Sequence, residues 1–430
     1  MRIGIIGGGI AGLTCAYRLA QAGHQPVVME GASTVGGLGA TFLHEGVRIE
    51  KFYHIILDAD SDLLSLVAEL GGAERMLWRD TGMGIFTDGA LFSMNGALDL
   101  LRFRPLTVLE RLRTAAGGVF MTTVKRNGNG LDNITATSYL RRLFGARVYT
   151  RIWEPLLRAK FGDAAEEIPA YWIWSRLNRE KSRGPEIKGY LRGGYGWLAD
   201  ALVTQITARG GEVRVSTKIT GFEETPAGIR IQAQDRTDDF DCAISTLPLS
   251  LLVNLAPQRL ADALPSPAIR YQGVVNVVVI SCQQFQPHYW TAVLDPSFAF
   301  QGIVETTHVI PTQWTGNRHL AYLMNYCRAD SETYSTPDDV LIRQALDGLG
   351  KLFPQFNEAD TETCYVFRTP HVEPVWTLGY LQRRPAVRLA NSRLYLCTTA
   401  QAYPRVNSWN TSISLAQATV DAMLSDIRAR

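Results

Sequence analysis

The chain has 430 residues, 46% of them apolar and 20% charged, with 43 basic against 41 acidic side chains and a net charge of +2. That length points to two or three domains, and the composition to an ordinary globular protein. The near balance of charge argues against a nucleic-acid partner, and no apolar run approaches the roughly 18 residues that span a bilayer.

The chain opens on "MRIGIIGGGIAGLTCAYRLAQAGHQPVVME". No signal peptide is expected ahead of it. Ile3–Ile6 reads as a buried strand. Gly7, Gly9 and Gly12 follow in G-x-G-x-x-G spacing, flanking Ile10 and Ala11, and a helix runs from there to Gly23. "PVVME" is a second strand that ends on Glu30. Each glycine has a physical reason. Gly7 permits the tight turn, Gly9 lets a diphosphate approach the main chain, and Gly12 lets the helix pack on the strand. The unpaired amides at the helix start attract the diphosphate, and Glu30 can accept hydrogen bonds from ribose hydroxyls. An acid at position 30 disfavours a 2′-phosphate, so the expected ligand is a dinucleotide other than NADP.

"GASTVGGLGATF" places a second glycine pair, Gly36-Gly37, six residues past Glu30. With it, the opening resembles the glutathione-reductase-type FAD fold, in particular the flavin amine oxidase, protoporphyrinogen oxidase and phytoene desaturase superfamily. The resemblance implies FAD, held by Gly7, Gly9, Ile10, Ala11, Gly12, Glu30, Gly36, Gly37 and Leu38. Leu38 departs from the Arg often found after the glycine pair.

Later segments extend the resemblance in the family's order. "EGVRIEKFYHII" (45–56) resembles the loop beside the flavin ring. The basic amphipathic stretch 98–126 has Pro105 as a helix start, Leu106, Leu109 and Leu112 on one face, and Arg102, Arg104, Lys125 and Arg126 around it. Such a stretch can lie on a membrane surface, as the matching insertion does in protoporphyrinogen oxidases; the preferred reading is a helix packed on its own domain. "WEPLLRAKFGDAAEEIPAYWIWSRL" (153–177) resembles the helical substrate domain of a prokaryotic branch related to protoporphyrinogen oxidase. The stretch 189–222 resembles the return to the FAD domain, with a helix over 197–209 and a strand over 213–217. There the family's adenine contact falls on Ile219. "RGGYGWLA" is not a second nicotinamide motif, because the strand after its helix ends in Ser216-Thr217 with no acid. "DCAISTLPLSLL" (241–252) and "LYLCTTAQAYPRVNSWNTSISLAQATV" (394–420) resemble the family's closing segments. Thr398 and Thr399 stand where the family has Gly-Asp, and the last helix is expected to start at 410–412 with Ser412 as its cap.

Flavin chemistry needs few protein acids, and the seven scattered histidines show no metal-binding spacing, so no metal is expected. The six cysteines form no CxxC pair, which suits a reducing cytoplasmic setting. Cys15, Cys242, Cys282 and Cys397 read as packed thiols. Tyr53 and His54 are the catalytic candidates beside the ring. Asn276 is the only polar residue in the apolar run of "YQGVVNVVVIS", where many amine oxidases of the superfamily place a Lys. Glu305, Trp376 and Tyr403 are the other pocket candidates, each of which also reads as a packing residue.

The expected architecture is α/β: a Rossmann-like FAD-binding domain from 1–85, 185–265 and 380–430, interleaved with an α+β substrate-binding domain from 86–184 and 266–379. The expected function is an FAD-dependent oxidoreductase that oxidises or desaturates a small organic substrate by hydride transfer to flavin N5. Two other classes remain open. One is a flavin-dependent sugar isomerase like UDP-galactopyranose mutase, which would need Arg and Tyr contacts to a diphosphate, from among Arg151, Arg158, Arg176 and Arg192. The other is a membrane-associated partner at the cytoplasmic face. The oligomeric state is not legible.

Overall fold

The computed structural model describes residues 1–125, 127–179, 186–265, 269–390 and 392–429. Arg126, weighed above as part of the basic stretch, lies outside these residues, as do the proposed domain junctions at 184/185 and at 266.

The amino-terminal motif builds one layer. Strand Arg2–Ile6 lies at the centre of a five-stranded parallel sheet. Its neighbours are Gln25–Met29 and then Glu212–Arg214 on one side, and Cys242–Ser245 and then Leu394–Leu396 on the other. Alternate side chains serve two faces. Ile3 and Ile5 pack with Leu13, Leu198, Leu202 and Ile413 beneath three helices, Ile10–Gln21, Gly194–Ala208 and Trp409–Arg428. Val27, Met29 and Ala243 instead join Phe222, Ile231 and Phe240 of a three-stranded antiparallel sheet, 219–240. Gly4 faces that side, where a methyl would press within 2.8 Å of Ile231 Cδ1. Helices on one face and an antiparallel ribbon on the other give the Rossmann-like layer order.

A second sheet of seven strands runs in the order Thr361–Pro374, Tyr271–Ser281, His319–Cys327, Gly302–Glu305, Trp290–Val293, Met83–Thr87 and Ala90–Ser93. Val275, Val277 and Val279 turn toward the helix Asp338–Leu352. Val274, Val278, Ile280 and Tyr322 turn the other way, onto Ile49 and residues 52–55. The second face meets the loop that follows the first glycine layer. The segment 97–179 supplies helices, including Val108–Val119, Ala136–Phe144, Glu154–Phe161 and Ala170–Arg179.

Several expected bounds move. The helix expected at 197 begins at Gly194, and the strand expected over 213–217 is Glu212–Arg214. The last helix begins at Trp409, and its cap is Ser408, whose hydroxyl accepts from the Thr411 amide at 3.2 Å; Ser412 lies inside the first turn. Pro105 does not start a helix. Thr107 does, through a capping box with Glu110, since a hydroxyl and a carboxylate three residues apart satisfy each other's backbone amides. Cys282 is exposed just past its strand, whereas Cys15, Cys242 and Cys397 are buried as expected.

The basic stretch also departs from the preferred reading. Leu106 is buried, but Leu109 is 78% exposed, and Leu98, Leu101, Val108, Leu112, Val119 and Val124 are exposed with it. That apolar face is not covered by the chain's own fold. Among the described residues no helix is long and apolar enough to cross a membrane.

Candidate functional site

Four strands of the parallel sheet end side by side, and the residues just past them form a rim. Gly7 follows Ile6, Glu30 follows Met29, Thr246 follows Ser245, and Thr398 lies two residues past Leu396. Gly7 has φ +107° and points its bare α-carbon at the Thr246 hydroxyl, which donates to the Ile6 carbonyl at 3.0 Å. Gly12 crosses the Gly7 carbonyl too closely for any side chain. Gly9 is the helix cap and no side chain closes it, so the first-turn amides at Ile10, Ala11 and Gly12 lack intrahelical acceptors. The second glycine pair closes on the first. The Gly36 amide donates to Gly8 O at 2.9 Å, and a methyl on Gly37 would stand 3.2 Å from the Gly9 α-carbon. Gly36 and Gly37 both have positive φ, +117° and +58°, which a β-carbon disfavours. Leu38 sits half-buried in the short turn Gly37–Gly39.

Glu30 accepts two amides, Gly8 N at 2.7 Å and Ala32 N at 2.8 Å, one on each oxygen. Each oxygen keeps a lone pair for a further donor. The chain at 216–217 pairs back onto residues 30–32, which brings Ile219, buried at the start of Ile219–Glu224, to the Glu30 side of the rim. On the other side the Thr398 amide donates to Gln401 Oε1 at 2.9 Å, and the buried Thr398 hydroxyl has no hydrogen-bond partner among the described residues. An uncapped helix start, glycines that keep the backbone bare and an acid with spare lone pairs fit an adenine dinucleotide.

Residues 45–56 link this rim to the seven-stranded sheet. Here lies a group that the sequence reading passed over. Glu50 is 4% exposed, and its Oε1 accepts from the Tyr195 amide at 2.8 Å and the Tyr190 hydroxyl at 3.3 Å. Tyr195 is the second residue of its helix, so the carboxylate sits at a helix start. Gly194, φ +62°, leaves room for it; a methyl there would be 2.5 Å from Glu50 Oε1 and 2.7 Å from the Tyr190 oxygen. The available signal was an acid inside "RIEKFYH", in an otherwise buried strand end, opposite a glycine-started helix.

His54 lies near this carboxylate. Its Nδ1 is 2.9 Å from the Phe52 carbonyl, to which it donates, and 3.7 Å from Glu50 Oε2. Its ring stands edge-on to Tyr195 and Trp409, at 4.9 and 5.8 Å. Two bonds pin the preceding residues to the second sheet: Asn276 Nδ2 to the Lys51 carbonyl at 2.8 Å, and the Tyr322 hydroxyl to the Glu50 carbonyl at 3.0 Å. The Tyr53 ring lies 6.4 Å from that of Tyr322. Burial raises the Tyr53 phenol, and pushes the Tyr326 phenol up to about 12.

The remaining candidates each have partners of their own. Glu305 is fully buried, accepts the Gln286 amide at 3.3 Å and lies 3.5 Å from His319 Nδ1. Trp376 and Tyr403 pack with Tyr380 as three rings at 5.0–5.5 Å. The Tyr403 hydroxyl donates to Asp132 at 2.5 Å. Of the four arginines weighed for a diphosphate, Arg151 pairs with Asp88, Arg158 with Glu154, and Arg192 lies over the Trp314 ring. Arg176 alone of these acts on Tyr53 and Tyr326. His44, Glu45 and Glu362 also converge, but Arg318 pairs with both carboxylates.

A family model described as flavin-containing amine oxidoreductase matches residues 10–406. A 15-cis-phytoene desaturase from Synechococcus elongatus is 27% identical over 457 residues, covering 94% of this chain and 92% of that protein. Among solved structures, a protoporphyrinogen oxidase-like protein from Exiguobacterium sp. 255-15 aligns with TM-score 0.78 at 18% identity, over 99% of both chains. A reduced UDP-galactopyranose mutase aligns with TM-score 0.76 at 16% identity, over 99% of this chain and 95% of that one. At those identities the structural likeness speaks to the fold alone.

Proposed function

The chain belongs to the flavin-containing amine oxidoreductase family and is an FAD-dependent oxidoreductase acting on a small molecule, and from that premise we propose that it oxidises or desaturates an organic substrate at the junction between residues 51–55 and the seven-stranded sheet. Bound FAD supplies a hydride acceptor at N5. The observation that carries the reading is the double tether of that loop, Asn276 to Lys51 and Tyr322 to Glu50. It fixes the cofactor-side loop against the sheet, so both partners of a transfer would meet across a rigid seam.

In this reading Gly7, Gly9, Ile10, Ala11, Gly12, Gly36 and Gly37 hold the diphosphate through main-chain amides, Glu30 accepts from the ribose, and Ile219 covers the adenine. Leu38 contributes packing where the family has a cation. Thr398 and Thr399 donate hydroxyls toward the ribityl–phosphate part. Tyr53 and His54 border the reacting face, and the Phe52 carbonyl holds the His54 ring through Nδ1. Asn276 positions the loop. Glu305, Trp376 and Tyr403 shape the surrounding wall. The FAD domain comprises 1–85, 185–265 and 380–430, and the substrate domain the rest.

The test is anaerobic. The purified holoenzyme is mixed with amines, porphyrinogen-like compounds and polyenes, and the visible flavin absorbance is followed. Bleaching by one class supports the reading. Absence of bleaching with every class, together with sugar-nucleotide binding by calorimetry, would replace it with the isomerase reading, which the mutase-like fold permits.

The exposed face around Leu109 supports a second element, peripheral contact with an anionic membrane surface at the cytoplasmic side. Leu98, Leu101, Val108, Leu109, Leu112, Val119, Phe120 and Val124 lie uncovered along 98–124, with Arg102 and Arg104 exposed beside them. Flotation with anionic vesicles tests it: the protein should float, and a Leu109→Glu/Leu112→Glu variant should not.

A further inference from the structure

A charged cleft lies outside the glycine rim and outside the exposed face of 98–124. The antiparallel ribbon of Met76–Thr81 and Glu186–Leu191 ends with Met76 opposite Leu191. One step further out the Arg192 amide donates to the Arg75 carbonyl at 2.9 Å, so the two arginines stand opposite each other. With Gly71 and Glu74 they line a cleft of about 570 Å³, within the range of about 300–1,000 Å³ that small-ligand sites occupy. Gly71 leaves it open, since a methyl there would meet nothing within 4 Å.

Each guanidinium rests on an indole. Arg75 lies 5.0 Å from the centre of the Trp197 ring, and Arg192 5.6 Å from that of Trp314. Trp197 is itself fixed, because a methyl on Gly72 would collide with its ring and one on Gly193 would stand 3.1 Å from its Cβ. Elsewhere in the chain arginines find acids, as Arg18 does with Glu69, Arg214 with Asp238 and Arg343 with Glu358. Among the described residues neither Arg75 nor Arg192 has an ion pair or a side-chain hydrogen bond, although Glu74 lines the same cleft.

Like charges directly opposite each other on a ribbon repel. Here Glu74 sets one negative charge against two positive ones and pairs with neither. An indole face holds a guanidinium plane in place without using its N–H edge. The five N–H donors of each group are therefore left for a ligand. One guanidinium fork satisfies a carboxylate. A phosphoryl group, with up to two negative charges and three acceptor oxygens, matches two forks.

We propose that Arg75 and Arg192, held on the Trp197 and Trp314 indoles, bind a phosphate monoester. The site goes beyond the oxidoreductase reading and does not rest on it. The recognised chemistry is the same in a free organic phosphate and in the headgroup of a phospholipid.

The experiment is calorimetry on the holoenzyme, whose dinucleotide site is filled, with glycerol 3-phosphate as probe and glutarate as the carboxylate control. Glycerol 3-phosphate should bind saturably, about tenfold more tightly than glutarate. Arg75→Gln and Arg192→Gln should each weaken it by about tenfold, the worth of one charge-assisted hydrogen bond. Both side chains are exposed, so melting temperature and FAD content should hold. Glu74→Gln removes the acid from the cleft and should tighten binding by about threefold. Flotation tests the lipid source, with phosphatidylcholine vesicles with and without phosphatidic acid, in the Leu109→Glu/Leu112→Glu background that silences the apolar face. Capture by phosphatidic acid alone, lost in the Arg75→Gln/Arg192→Gln variant, identifies a lipid headgroup. Binding of glycerol 3-phosphate without capture identifies a soluble phosphate. Silence of glycerol 3-phosphate and vesicles alike, equal affinity for glutarate, or unchanged affinity in the Arg75→Gln/Arg192→Gln variant overturns the site. A sugar nucleotide held beside the flavin would survive that variant, so this result and the isomerase reading are separable.

Discussion

Replacing Gly12 with Ala should cost the protein its cofactor before it costs the fold. A methyl at position 12 would be driven into the Gly7 carbonyl, with the carbonyl carbon at 3.1 Å and Ile5 Cγ2 at 3.4 Å. The obstacle is backbone, so no rotamer can yield. The helix Ile10–Gln21 cannot retreat freely, because its far side packs on buried Ile413 and Leu198. Overpacking of this kind costs about 1–3 kcal/mol, and a backbone clash belongs at the upper end. The displaced part is the first turn, where the diphosphate amides lie. If about 3 kcal/mol falls on binding, FAD affinity drops by about 150-fold, since each 1.4 kcal/mol is tenfold. The assay is titration of deflavinated protein with FAD, followed by quenching of FAD fluorescence. Gly23→Ala is the control. Gly23 has φ +80° but nothing within 4 Å of a new methyl, so it should lose about 1 kcal/mol of stability and no affinity. A Gly12→Ala protein that binds FAD within a factor of about three of wild type would refute the packing argument.

Glu50→Ala should destabilise the protein by about 2–5 kcal/mol, because the Tyr195 amide and Tyr190 hydroxyl lose their acceptor inside the core; urea unfolding checks this, and Glu50→Gln, which keeps the acceptor oxygen, should recover most of the loss. Burial lowers the His288 and His371 pKa values below the ordinary 6.5. Their depressed folded values mean that the unfolded chain takes up protons first. Stability should therefore hold above about pH 6.5 and fall as the pH drops through the folded values, and a His288→Gln variant should show a shallower fall in a melting-temperature series. Asn276→Ala should free the Lys51 carbonyl from its side-chain donor and slow flavin reduction by any substrate found, with FAD content unchanged; an unchanged reduction rate would remove Asn276 from the positioning role.

The first layer of the fold was legible because its chemistry is local. Gly7, Gly9, Gly12 and Glu30 carry their reasons within thirty residues, and the strand and helix between them have clean periods. The shifts in bounds have local causes too. Ser408 outcompetes Ser412 as a cap because its hydroxyl meets the Thr411 amide, and a chain reading cannot rank two serines four apart. Thr107 displaces Pro105 because a capping box satisfies two amides whereas a proline at the start satisfies none. The exposed Leu109 face was misjudged for another reason. Amphipathic spacing shows that one face is apolar, but not whether the rest of the fold reaches it. Glu50 was missed because its partners, Tyr190 and Tyr195, are about 140 residues away, and only the fold brings that helix start to the strand.

That distance also explains why the tethers of the loop at 51–55 could not be seen in the chain. Asn276, which donates to the Lys51 carbonyl, and Tyr322, which donates to the Glu50 carbonyl, belong to two strands of the second sheet, and neither shares a motif with the loop. The dinucleotide layer fixes where that loop begins, and the tethers fix where it ends. The residues that select a substrate are then free to vary on the second sheet without disturbing the cofactor. This division lets one scaffold hold FAD in a constant frame while the second sheet decides what reaches it.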